Sequence, residues 1–209
     1  LAGALGWERW EPSSYRWLAA AAVFISLPSL FVTLLLGRLE RVSLGSGFGI
    51  ERHNCLKHLA AGVFIAMGTF SIALLAAESS LWLFQQLELQ VQSQSATLMV
   101  RNAAGTPLYV RAAIGVLTVI VAPAAEELVF RGIAFPAAAK RLGMLPAAII
   151  VSLVFAVIHV DIITYAPLFA LSMALCLAYA QSGSILVPFS IHATFNLIQI
   201  ALLTLTELE

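Results

Sequence analysis

The sequence predicts an all-α protein, a polytopic bundle of transmembrane helices, and three observations predict it. Of its 209 residues, 61% are hydrophobic and only 11% charged, whereas a soluble domain carries about 45–50% apolar and about 25% charged residues. The apolar residues fall into runs long enough to cross a bilayer, which takes about 20 residues of helix. The few ionisable groups inside those runs lie on three separate segments, so they can be stabilised only by meeting one another. That convergence is the expected centre of the fold.

The apolar runs, in order, predict about six spans. Residues 17–36, bounded by Arg16 and Arg38, are too long for the apolar region of a signal peptide and read as the first. Residues 59–77 are the second. Residues 109–125 are the third and run into Glu126, and the apolar stretch 128–139 prolongs it as a kinked or re-entrant helix beyond Pro123. Residues 145–159 follow Gly143, with Pro146 tolerated in a first turn. Residues 162–180 and 185–205 are the last two, separated by the polar stretch 181–184. The motifs described below divide the chain into an N-terminal membrane region, 1–106, with two spans and a non-cytoplasmic loop, and a catalytic-type membrane domain, 107–209.

Charge sets the orientation and removes some classes of partner. Lys plus Arg and Asp plus Glu both total 11, a formal net charge of zero, which lacks the basic excess that nucleic acid requires. Arg38, Arg41, Arg52, Lys57, Arg131, Lys140 and Arg141 fall on one side of the expected spans, and Arg9, Arg16, Arg101 and Arg111 on the other. The richer side is cytoplasmic by the positive-inside rule, which places both termini on the non-cytoplasmic face of the membrane. Trp7, Trp10, Tyr15 and Trp17 cluster as interface anchors at the first span. Cys55 and Cys176 lie far apart and form no disulfide framework or zinc ribbon.

Two connections carry no chemistry of their own. Residues 41–51 hold Gly45, Gly47 and Gly49, but neither a preceding strand nor a following Lys-Ser/Thr, and read as a flexible link rather than a phosphate cradle. Residues 78–107 contain Leu87, Leu89 and Val91 alternating with polar residues, which suits a strand, while Leu81, Phe84 and Val91 also fit an interfacial helix.

The intramembrane ionisable residues are Glu126, Glu127, Arg131, His159 and His192, with Asn196 as a polar companion. Glu127 and Arg131 are four apart, on one helix face and in the favourable acid-first order. Glu126 is turned about 100° from Glu127 and is left free for chemistry. His192 and Asn196, again four apart, can aim two hydrogen-bond donors at one point. Pro123 and Pro188 lie about one turn before Glu126 and His192, where a proline bends a spanning helix and frees a carbonyl. A carboxylate and a histidine can activate water, and a His/Asn pair can stabilise an oxyanion. These are the parts of a hydrolase. A divalent metal such as zinc held by Glu126, His159 and His192 is the other option, although no HExxH is present.

Glu126-Glu127-Leu-Val-Phe-Arg131, Phe155-Ala-Val-Ile-His159 and His192-Ala-Thr-Phe-Asn196 match EExxxR, FxxxH and HxxxN motifs. In this order and on separate apolar segments they resemble the CPBP family of intramembrane proteases, which includes the CAAX prenyl endopeptidases of the Rce1 type and bacterial bacteriocin-processing or Abi proteins. The resemblance covers roughly residues 107–205. It implies endopeptidase activity on a membrane-associated protein or peptide, with Glu126 and His159 activating water and His192 with Asn196 forming the oxyanion site. Glu127 and Arg131 would take a structural or substrate-positioning role. It leaves a metal-dependent and a metal-free glutamate mechanism both open.

Rival readings use fewer of these residues. Two histidines on separate helices could bind haem, but Glu126 and Asn196 would then be unemployed. A transporter would more naturally show repeats or matching broken helices, and none is visible. An inactive scaffold or immunity protein of the same fold stands as the alternative.

Overall fold

A computed structural model describes residues 31, 38, 44–50, 52–89, 107–159 and 161–206. Apart from Phe31, the expected first span at 17–36 lies outside the described residues, as do its aromatic anchors and residues 90–106. Among the described residues every regular element is helical and there is no strand. Four helices are long and apolar enough to cross a membrane, and a fifth, Met144–Val157, is apolar but shorter. The described residues therefore account for four spans rather than the six expected from the whole chain.

Helix α1 is Cys55–Gln86, 32 residues and about 48 Å at 1.5 Å per residue. It outruns the expected 59–77 because Glu78, Ser79 and Ser80 end the apolar run without ending the helix. The Ser79 and Ser80 hydroxyls donate back to the carbonyls of Leu75 and Ala76 at 2.7 and 2.9 Å, which takes them out of competition with the helical ladder. The helix stops where Glu88 adopts a left-handed φ of 53°, so the first part of the ambiguous stretch 78–107 is helix.

Helix α2, Leu108–Leu142, is a single 35-residue element, and the stretch 128–139 does prolong the third span. Two π-helical turns interrupt it, Leu117–Val121 and Phe130–Ala134. Each is followed two residues later by a proline, Pro123 or Pro136. A proline ring in a regular helix collides with the carbonyl four residues back, and a wider π turn makes room for it. The disturbance expected at Pro123 takes the form of a widened turn just before the proline.

Gly143, at φ 85°, reverses the chain into α3, Met144–Val157. A 3-10 turn, Ile162–Thr164, leads into α4, Tyr165–Ser182. Gly183 ends α4 in the left-handed conformation at φ 63°, the usual glycine C-cap, and α5 runs Leu186–Thr206.

Two apolar clusters hold these helices together. The first joins Ala66 and Ala73 of α1, Leu171 and Leu175 of α4, and Val187, Ile191 and Phe195 of α5. Its closest approach is between α1 and α5. Gly62, Ala66, Thr69 and Ala73 are the buried residues of α1, a small-residue stripe of the kind that lets membrane helices touch. A Cβ on Gly62 would lie 2.4 Å from Ser190 Cβ, and Ser190 Oγ donates to the Leu59 carbonyl at 2.7 Å. The second cluster joins Phe135 of α2, Ala147, Ala148 and Val151 of α3, and Cys176 of α4. Ser172 lies on the face of α4 between the residues that supply the two clusters.

The glycine-bearing connection is not the free link its composition suggested. Leu44–Gly47 form a helical turn and Phe48 is buried. Phe48 O accepts from the Ile185 amide at 2.9 Å, its ring fills the space a Cβ on Gly132 would need, and Gly49 sits against the Gly183 carbonyl at φ 64°. Glycine is required there both for the backbone angle and for the approach.

Candidate active site

The α2–α3 hairpin brings the first two motifs together. Phe135 packs with Val151, and one turn further from Gly143 the Arg131 guanidinium lies over the Phe155 ring at 5.0 Å. Another turn on, this antiparallel register sets Glu127 level with His159. The third motif arrives on α5, which contacts α2 along the first π turn and the segment after it.

Glu127 and Arg131 are both fully buried, with Arg131 Nη1 donating to Glu127 Oε1 at 3.1 Å. Arg131 Nη2 donates to the hydroxyl and the carbonyl of Ser172 on α4 at 2.7 and 3.1 Å. Burying two charges costs far more than their attraction returns unless further hydrogen bonds satisfy them, and Ser172 supplies part of that satisfaction. Sequence reasoning missed Ser172; a lone serine in the apolar run of α4 is the only signal it offers.

His192 completes the group. Its Nδ1 lies 2.8 Å from Glu127 Oε1. A carboxylate oxygen that already accepts from Arg131 accepts again here, so Nδ1 is the donor. That leaves Nε2 facing Glu126, whose Oε2 is 3.9 Å away, too far for a direct hydrogen bond. The Glu126 side chain is 29% exposed, while its Oε2 is buried without a partner. Glu127 thus shares one oxygen, Oε1, between Arg131 and His192, while its Oε2, like Glu126 Oε2, is buried without a partner.

His159 stands in the turn after α3. Its Nδ1 is 2.7 Å from the Phe155 carbonyl, which can only accept, so Nδ1 carries the proton and Nε2 is left as an acceptor. Among the described residues no hydrogen bond or ion pair joins His159 to Glu126. The two histidines are linked instead through Phe155, whose buried ring packs at 4.8 Å from the His159 ring and 5.9 Å from the His192 ring. Asn196, one turn above His192, donates from Nδ2 to the Thr118 carbonyl at 2.9 Å, so one of its two N–H groups is already engaged. Among the described residues no three His, Cys, Asp or Glu side chains gather as metal ligands; Glu126 and His192 approach each other, and His159 does not join them in one ligand set.

Residues 108–198 match the family model described as Rce1-like, type II CAAX prenyl endopeptidase. That segment is similar to the Rce1-like CAAX proteases. It begins at the first residue of α2 and ends two residues past Asn196, so all three motifs lie inside it. No curated protein and no solved structure matches the chain. The matching segment holds two of the four membrane-length helices whole and most of a third, and with four such helices the chain is an integral membrane protein.

Proposed function

We propose that the protein is an intramembrane endopeptidase in which Glu126 and His159 activate water and His192 with Asn196 receives the oxyanion. The observation that carries this reading is Glu126 Oε2, unpartnered and 3.9 Å from His192 Nε2, beside a Glu127 whose Oε1 accepts from both Arg131 and His192. A water between Glu126 and the His159 Nε2 lone pair loses its proton to Glu126 as its oxygen attacks the scissile carbonyl carbon. The carbonyl oxygen takes the negative charge and is met by His192 Nε2–H and the second N–H of Asn196. Collapse breaks the C–N bond, and the proton held by Glu126 passes to the departing amine. Glu126, His159 and His192 do not gather as a three-ligand set among the described residues, and this reading assigns the activation of water to the side chains themselves.

The substrate class is a membrane-associated protein or peptide, and a prenylated C-terminal peptide is the first to offer, given the description of the matching family. Charge distribution supports both termini on the non-cytoplasmic side. Detergent-purified protein, incubated with prenylated peptides and a membrane-protein pool and read by mass spectrometry, should generate new termini. Glu126→Gln and His159→Ala should each lower the rate by about 10²–10⁴ with unchanged melting, and a chelator should leave it intact. Wild-type rates in either variant would refute the assignment of these two residues.

A further inference from the structure

The engaged N–H of Asn196 points to a role beyond the oxyanion, set by the chemistry of α2. In the first π turn the Ala122 amide donates to the Leu117 carbonyl, five residues back. In the same register the next amide would belong to residue 123 and would serve Thr118. Residue 123 is proline and has no N–H to give. The Thr118 carbonyl is therefore left without a backbone donor in the middle of a membrane helix, where no bulk water can replace it. Asn196 Nδ2 reaches this carbonyl from α5 at 2.9 Å.

We propose that Asn196 is a positioning residue: its amide replaces the backbone hydrogen bond that Pro123 removes, and so fixes the rotation of the Glu126–Glu127 turn of α2 against α5. Glu126 follows Pro123 by three residues, less than one turn, so whatever holds the widened turn also aims the carboxylate. This extends the reading of Glu126 as the catalytic carboxylate, but the hydrogen bond and its test stand without that reading. Asn196 thereby serves two partners, one N–H holding α2 and the other left for the substrate.

A double-mutant cycle on thermal stability tests this in the full-length protein in detergent. Asn196→Leu should lower Tm by about 2–5 °C, because it strands the Thr118 carbonyl. In a Pro123→Ala background residue 123 has an amide to offer, and Asn196→Leu should lower Tm by less than about 1 °C. An Asn196 that only packs, or only binds an oxyanion, has no reason to couple to residue 123. Equal losses in the two backgrounds overturn the proposal. Should Asn196→Leu fail to fold alone, recovery of folded protein in the double variant supports the proposal and failure of both overturns it. Because the readout is Tm, absence of proteolysis would count against the proposed function and leave this cycle interpretable.

Discussion

Glu127 Oε1 accepts from two donors, Arg131 at 3.1 Å and His192 at 2.8 Å, and that double engagement makes it the anchor of the site. Removing one partner of a buried pair costs about 3–5 kcal/mol, because a lone charge is left in low dielectric. Arg131→Ala should therefore lower stability by that order and reduce activity along with it. Arg131→Met combined with Glu127→Gln should be milder, since no net charge is stranded and the glutamine can still accept from His192. Melting curves of the detergent-purified variants check this; an Arg131→Ala protein that melts like wild type would show the pair to be unimportant. The pair itself was readable from the four-residue spacing of Glu127 and Arg131. The His192 contact was not, because helical phase relates residues within one helix and says nothing about which side chain of α2 a histidine on α5 will choose. The same limit hid Ser172 and the Asn196–Thr118 hydrogen bond.

Elements were readable where apolar length defined them and less so where hydrogen bonding did. The runs at 162–180 and 185–205 correspond to α4 and α5 within a few residues. Hydropathy cut α1 at Ala77 because it registers Glu78, Ser79 and Ser80 as polar, whereas the two serine hydroxyls satisfy themselves on the preceding turn. Pro123 was visible as a disturbance, but apolar periodicity does not report that the turn before it widens into a π turn. Packing between helices makes its own demand at Gly62, where an added Cβ would meet Ser190 Cβ at 2.4 Å and the Val187 carbonyl at 2.7 Å. The obstruction includes backbone, so α1 and α5 would have to separate. Gly62→Ala should cost about 1–3 kcal/mol, as overpacking does. Gly68 on the same helix has nothing within 4 Å, and Gly68→Ala should be neutral or stabilising by up to about 1 kcal/mol through helix propensity. Equal effects at the two glycines would contradict the close α1–α5 crossing.

At the scale of the whole molecule, the connections that charge counting assigns to one side of the membrane are found together. The segment 44–50 touches the α4–α5 connection through Phe48 O and the Ile185 amide at 2.9 Å. The end of α2 meets the end of α4 through the Phe135 and Tyr179 rings at 6.5 Å. The α2–α3 turn at Gly143 therefore lies on that same side, while His159 and Asp161 close the opposite end of the α3–α4 hairpin. Arg131, Lys140 and Arg141 precede the Gly143 turn, and Arg52 and Lys57 follow the 44–50 segment, so the basic excess and the packing select the same face. In a background with Cys55→Ser and Cys176→Ala, single cysteines at Gly47, Arg141 and Ser182 should react alike with a membrane-impermeant maleimide in oriented vesicles. A cysteine at Asp161 should show the opposite sidedness. The positive-inside rule further requires the first three to be labelled from the cytoplasmic side. Labelling of Gly47→Cys and Arg141→Cys from opposite sides would break the packing of the 44–50 segment against the α4–α5 turn. Common labelling of the first three from the outside would keep that packing and invert the molecule in the bilayer, moving the Lys140–Arg141 end to the non-cytoplasmic face.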